Sequence, residues 1–181
     1  MTARTEATLD DFYRVEEGKA EIVNGKLVLM PATGDVPHLA DLRIAMSLLQ
    51  HRDTTGRGHA FGDGGTFVVD LPKRHTFSPD AAFAYMPLNG MRFHDGPPVF
   101  AVEVRSEGDY GKAAEREMAA KRRDYFAAGT LVVWDVEPVA RTVAEYVDDA
   151  EAPAATFGIG EAADAVPALP DWRMATAAIF R

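Results

Sequence analysis

Val99-Phe100-Ala101-Val102-Glu103-Val104 is apolar except for one carboxylate and reads as a buried central strand. Behind it runs a helical stretch, Gly111 to Ala128, closed by Gly129 where a left-handed turn favours glycine. Leu131-Val132-Val133-Trp134-Asp135-Val136 follows at once as a second strand and stops before Pro138. Strand, helix and strand in such tight order predict a crossover that sets the last strand parallel to the one carrying Glu103. At about 100° per residue, Ala114, Met118, Lys121 and Tyr125 fall on one narrow stripe of the helix. An ammonium on a core-facing stripe costs several kcal/mol unless it is paired. Two carboxylates in otherwise apolar runs are its expected partners, Asp80 after Pro79 and Glu103. Both are expected near the C-terminal parts of neighbouring strands.

Two strand carboxylates beside a lysine are the minimal apparatus for Mg²⁺-dependent hydrolysis of a phosphodiester. Mg²⁺ needs only one or two carboxylates, with water and substrate phosphate oxygens completing its shell. A neighbouring lysine can position the attacking water or offset developing charge. The spacing admits a second reading as well, in which Asp80 begins a turn and Glu103 forms a buried ion pair with Lys121.

Composition narrows the field. The chain has 181 residues, enough for one domain with a real core and short for two, so residues 1–181 are expected to form a single domain. No apolar run reaches about 18 residues, which excludes a spanning helix. Met1 to Asp10 is polar, without an apolar signal region. With no cysteine there is neither a disulfide framework nor a thiolate metal site, and a cytoplasmic location is the default. A net charge of −9 argues against a general nucleic-acid binder but not against a nuclease, because a bound cation reverses the local field. A basic strip over Arg105, Lys112, Arg116 and Lys121 to Arg123 is diluted by Glu107, Asp109, Glu115 and Glu117.

Outward from this centre, Leu9 to Val15 reads as a short helix with Thr8 as its N-cap. Asn24-Gly25 between Ala20–Val23 and Lys26–Met30 is a strong hairpin signal. Pro37 to Gln50 has helical periodicity, with Leu39, Leu42, Ala45, Met46 and Leu49 on one face. Thr66 to Leu71, Phe77 to Tyr85 (interrupted at its start by Pro79) and Arg141 to Val147 read as strands, and Met86 to Pro98 as a loop. An Ala/Pro/Asp/Gly-rich tail returns to an apolar end at Trp172 to Phe180. Gly62-Asp63-Gly64-Gly65 lacks the Lys-Ser/Thr of a phosphate loop, and the histidines show no zinc spacing. Glu21 is either a further site carboxylate or a strand residue facing solvent. His38 is more simply a surface or packing histidine, and Tyr125 a core residue whose hydroxyl needs a partner.

These residues also resemble a family. Ser78-Pro79-Asp80, Ala101-Val102-Glu103-Val104, Lys121 followed by Tyr125 and Gly129, and Val133-Trp134-Asp135 occur in the order typical of Uma2 proteins. Those are restriction-endonuclease-like members of the PD-(D/E)XK nuclease superfamily. The Glu21-to-Gly25 hairpin, His38 and Pro167-to-Trp172 are similar too, so the likeness covers nearly the whole chain. It implies an α/β fold, a mixed sheet flanked by helices with a restriction-endonuclease-like core and an N-terminal hairpin. It further implies Mg²⁺ (or Mn²⁺) bound by Asp80 and Glu103, and a DNA endonuclease with Asp80, Glu103, Lys121 and Glu21 in the catalytic centre. One departure stands out. The superfamily's lysine two residues after the glutamate is here Arg105, which stays protonated and can hold phosphate but cannot act as a base. Lys121 on the following helix is the match for the missing lysine. The competing expectation is a catalytically silent nuclease fold that serves as a binding or assembly module. A homodimer suits a small nuclease on a two-stranded substrate. Replacing Lys121 by methionine, of similar length, is expected to preserve stability.

Overall fold

The computed structural model describes residues 6–15 and 18–181. The polar start expected for Met1 to Asp10 lies outside the described residues as far as residue 5. The chain begins with a one-turn helix, α1 (Leu9–Phe12), capped by Thr8. A hairpin follows, β1 (Lys19–Val23) and β2 (Lys26–Met30). Its turn residues Asn24 and Gly25 have φ of 50° and 69°, the two positive values that this turn demands. Helix α2 (Asp35–Thr55) is longer than its periodicity predicts and stops at Gly56 in the left-handed conformation. Then come β3 (His59–Phe61), β4 (Phe67–Val68), β5 (Thr76–Phe77), β6 (Ala81–Ala84), β7 (His94–Asp95) and β8 (Phe100–Val104). Helix α3 (Lys112–Ala128) crosses to β9 (Val132–Glu137), and β10 (Thr142–Tyr146) turns back beside it. The tail holds β11 (Ala155–Phe157), β12 (Ala162–Ala165), β13 (Leu169–Ala175) and α4 (Thr176–Ile179).

Among the described residues the main sheet has six strands in the order β11-β10-β9-β8-β6-β3. As the crossover predicts, β8 and β9 are parallel, while the other neighbours are antiparallel. A small sheet of β5, β4 and β7 docks on the hairpin, where His75 N donates to Ile22 O at 3.0 Å. This is the expected mixed sheet flanked by helices.

The sheet separates two cores. Phe83, Phe100, Val102 and Trp134 point to one face and pack under α2, β13 and α4. Ala82, Ala101 and Val133 point to the other face and pack with Tyr125 of α3 and with Phe67 and Phe77.

One expectation is refined and two change. The interruption expected at Pro79 is a full break, so that Thr76–Phe77 and Ala81–Ala84 join two different sheets. Pro79 has no N–H to offer, and the amide of Ser78 is taken by the Glu21 carboxylate at 3.0 Å. The strand expected over Thr66 to Leu71 pairs regularly only at Phe67–Val68, after which Val69 and Leu71 bond irregularly across a turn to His75 and Arg74. The apolar face expected on α2 is turned outward. The helix buries Ala40, Ile44 and Leu48, while Leu39, Leu42, Met46 and Leu49 stay exposed.

Candidate active site

The antiparallel register sets Ala81 opposite Val102 and Ala82 opposite Ala101, and so carries Asp80 to the position facing Glu103. Residues directly opposed on one face have Cβ atoms about 5 Å apart. Asp80 thus lies just before β6, at its N-terminal end and not near its C-terminal part, because β6 runs against β8. Its Oδ2 accepts from the Val104 amide at 2.7 Å, which pins the carboxylate at the end of the ladder.

Each carboxylate meets an ammonium. Lys121 Nζ lies 2.8 Å from Glu103 Oε2 and 2.8 Å from Glu21 Oε1. Lys19 Nζ lies 2.7 Å from Asp80 Oδ1 and 2.7 Å from Asp63 Oδ1. Tyr125 donates its hydroxyl to Glu103 Oε1 at 2.6 Å. Behind Glu21, the Arg74 guanidinium bonds the same carboxylate and also reaches Asp124 Oδ2 at 2.8 Å. Glu21 is therefore not a solvent-facing strand residue. It is buried, and β1 delivers it and Lys19 to the same side of the strand two residues apart.

Burial and charge set the protonation of this group. Burial alone would push Glu21 up, but Lys121 and Arg74 outweigh it and hold the carboxyl below its usual range. Glu103 goes the other way. Burial raises it, Lys121 opposes, and the neighbouring Asp80 and Glu21 charges add to the rise. Burial would lower Lys121, yet the Glu103 and Glu21 carboxylates raise it, so its ammonium stays charged. Lys19 is raised in the same way, with Asp80 as the leading partner against burial. Asp41 on α2 is pushed up to about 6 by burial and by the Asp80 charge, with His38 opposing from 3.5 Å.

These groups line a cavity of about 870 Å³ between the hairpin, the sheet and α3. Ala114, Met118, Lys121 and Tyr125 form one wall of it. Only Tyr125 on that stripe is fully buried, so the stripe faces a cleft as well as the core. The basic side chains of Lys73, Arg74, Arg105 and Arg123 border the same space. Arg105 reaches it already engaged. Its Nε and Nη2 grip Asp135 at 2.8 and 2.9 Å, and its outer nitrogens pair with Glu115. Arg122 also bonds Asp135, at 3.2 Å, and lies over the Tyr146 ring.

Sequence reasoning missed Lys19, Asp63, Arg74 and Asp41. Lys19 carried a usable signal, since a residue two before Glu21 on a strand shares its face. Arg74 and Asp63 lie in turns, where no periodicity points to a partner. The His38 side chain is 55% exposed and lies 3.5 Å from Asp41.

Among the described residues, no group of three or more His, Cys, Asp or Glu is arranged as a ready metal cage. The all-oxygen pair of Asp80 and Glu103 nevertheless suits a hard cation such as Mg²⁺, which draws most of its shell from water and phosphate.

Comparison with known proteins places the chain. The family model Uma2, described as "Putative restriction endonuclease", matches residues 9–177. No curated protein matches. A solved structure described as a putative nuclease belonging to DUF820, from Anabaena variabilis ATCC 29413, superposes with a TM-score of 0.71 at 16% identity. The match covers 96% of this chain and 97% of that one, which establishes the shared fold. The chain belongs to the Uma2 family.

Proposed function

We propose that this chain is a Mg²⁺-dependent endonuclease that hydrolyses phosphodiester bonds in DNA, with Mn²⁺ able to replace Mg²⁺. One observation carries the reading: a raised, fully charged lysine bridges two carboxylates beside a third in a cleft of about 870 Å³. Asp80 and Glu103 would hold the cation. A bound Mg²⁺ supplies charge neutralisation at the phosphate and a more acidic water. Tyr125 and the Val104 amide each fix one oxygen of these carboxylates. Glu21 holds Lys121 at the cleft wall, where its ammonium would offer a donor to a phosphate oxygen as charge develops. Arg105 can exchange half-exposed Glu115 for a phosphate while Asp135 keeps its inner edge fixed. The family description supports nucleic acid as the substrate. A chain without cysteine suits the reducing cytoplasm, the compartment we assign.

A second reading rests on the same ion pairs. Lys19 and Lys121 already balance Asp80 and Glu103, as they would in a catalytically silent binding or assembly module. Plasmid cleavage and calorimetric titration with Mn²⁺ separate the two. Wild type is expected to bind Mn²⁺ and to nick DNA with Mg²⁺ or Mn²⁺ but not in chelator. Lys121→Met is expected to cut at least about 100-fold more slowly, the scale seen when one transition-state donor is removed. Asp80→Ala is expected to lose the binding heat. Arg105→Ala is expected to raise KM more than it lowers kcat. No cleavage of any nucleic acid together with no Mn²⁺ heat would establish the silent module instead.

A further inference from the structure

Both oxygens of Asp80 are already engaged. Oδ2 accepts from the Val104 amide at 2.7 Å, and Oδ1 holds the Lys19 ammonium at 2.7 Å. The amide can stay when a cation arrives, because it is neutral and ties the carboxylate to the sheet. With Oδ2 tied in this way, Oδ1 is the oxygen left for a metal, and there the ammonium is in the way. Mg²⁺ binds a carboxylate oxygen at about 2.1 Å, so on Oδ1 it would lie no more than about 5 Å from Lys19 Nζ. The Lys19 and Asp80 side chains are only 15% and 17% exposed, so water screens the repulsion between the two cations poorly.

Lys19 differs from Lys121 in where it can go. The second carboxylate on Lys121 is Glu21, which is buried and shared with Arg74. The second carboxylate on Lys19 is Asp63, 2.7 Å away and 35% exposed. Asp63 belongs to the glycine-rich turn at residues 62–65, between β3 and β4 and apart from the strands that present Asp80 and Glu103. A flexible four-carbon stem lets the ammonium lean toward that turn while the backbone of β1 stays paired. We propose that Lys19 is a tethered competitor for the cation: it keeps Asp80 closed until a divalent ion displaces its ammonium, which then stays on Asp63. The proposal rests on the reading of Asp80 as a cation ligand, and it makes the metal affinity of the site depend on Lys19 as well as on the carboxylates.

Calorimetric titration of Mn²⁺ into the full chain tests this without recourse to cleavage. Lys19→Met is expected to bind Mn²⁺ at least about 10-fold more tightly than wild type, the scale of coupling between close charges. Lys73→Met takes a lysine from the border of the same cleft but leaves the Lys19–Asp80 pair intact, and it is expected to shift the affinity by no more than about threefold. Asp63→Asn is expected to weaken binding in the wild type, because Lys19 then has only Asp80, and to have little effect once Lys19 is replaced. Should Lys19→Met fail to fold by circular dichroism, Lys19→Gln removes the charge but keeps a donor for Asp80, and the same tightening is expected of it. Mn²⁺ binding by the Lys19 variant where wild type shows none would be the strongest form of the expected result. Equal affinity of wild type and the Lys19 variant overturns the proposal and leaves the metal site standing. So does a Lys19 effect no larger than that of Lys73→Met, or an Asp63→Asn effect that persists without Lys19. No Mn²⁺ heat in any of these proteins removes the metal site itself, and the competitor with it.

Discussion

Along β8, Phe100, Val102 and Val104 point to one side of the sheet, while Ala101 and Glu103 point to the other. Its parallel neighbour β9 repeats the division, with Trp134 on the first side and Asp135 on the second. On the first side aromatic rings fill the space, with Phe100 edge-on to Trp134 at 5.1 Å and Trp134 against Trp172 at 5.1 Å. On the second side a smaller apolar core, in which Phe77 stacks on Tyr125 at 4.0 Å, gives way at Glu103 and Asp135 to paired charges, each carboxylate held by at least one cation. The first arrangement stabilises through area removed from water. The second does little more than cancel its own desolvation, and its value lies in the geometry it fixes. The alternation of the strands therefore confines the charged cluster to one side of the sheet, next to the smaller of the two apolar cores.

The sharpest way to break that comparison is to mutate two adjacent residues of β9. Trp134→Ala should cost about 3–5 kcal/mol through the cavity it leaves, with little dependence on salt. Asp135→Ala should cost a similar 3–5 kcal/mol or so for a different reason, because it strands Arg105 and Arg122. The two losses separate on repair. Adding Arg105→Met and Arg122→Met to Asp135→Ala should recover most of its loss, as an apolar replacement for a buried ion group does. Urea titration measures both. A triple variant as unstable as Asp135→Ala would show that the charged side is held by packing after all.

A somewhat smaller effect is expected at Lys121. Its sequence position predicts that methionine preserves stability, but the structure places two carboxylates on its ammonium. Lys121→Met should therefore cost about 3 kcal/mol at neutral pH, moderated because Arg74 still holds Glu21 and Tyr125 still donates to Glu103. In that variant Glu103 is raised further, so the loss is greatest above its folded pKa and is relieved as pH falls and the carboxyl takes up a proton. Millimolar Mg²⁺ should relieve it too, through binding to the folded state alone. Thermal melts with and without Mg²⁺ check this. An equal loss under all conditions would remove Glu103 as the cause.

How much of this was legible follows from the range of each signal. The β8–α3–β9 crossover, the hairpin and the Glu103–Lys121 pair rest on short spacings that a sequence displays directly, whereas the second partner of Lys121 is Glu21 and not the expected Asp80, whose ammonium is Lys19. The outward face of α2 was legible as a stripe but not as a surface. Its alternative face, Ala40, Ile44 and Leu48, is also apolar, and only the sheet decides which one is buried. Asp41 hides on that buried side next to Asp80. Arg74 was invisible because it acts at a turn, across 53 residues from Glu21. The commitment of Arg105 to Asp135 depends on the register of β8 against β9, which no single strand reveals.

The smallest expected effect concerns a carboxylate on the aromatic side. Glu145 in β10 lies opposite Trp134, is buried, and among the described residues its Oε2 has no hydrogen-bond partner. Burial pushes its carboxyl up to about 7, the Asp164 charge adds to the rise, and the Trp134 indole opposes it. A carboxyl raised in the folded state binds its proton more tightly there than in the unfolded chain. Its protonated form therefore supports the fold fully below the ordinary glutamate range, and that support is lost as pH rises through about 7. Glu145→Gln removes the titration while keeping the shape. It should leave stability almost unchanged near pH 4 and raise it by about 1–3 kcal/mol near pH 8. The charged side should not behave this way, because Glu21 is held below its usual range and is favoured as pH rises. Urea titrations of wild type and Glu145→Gln at the two pH values decide it. A pH-independent difference between them would mean that the carboxylate of Glu145 is solvated, and that the aromatic side is wetter than its packing indicates.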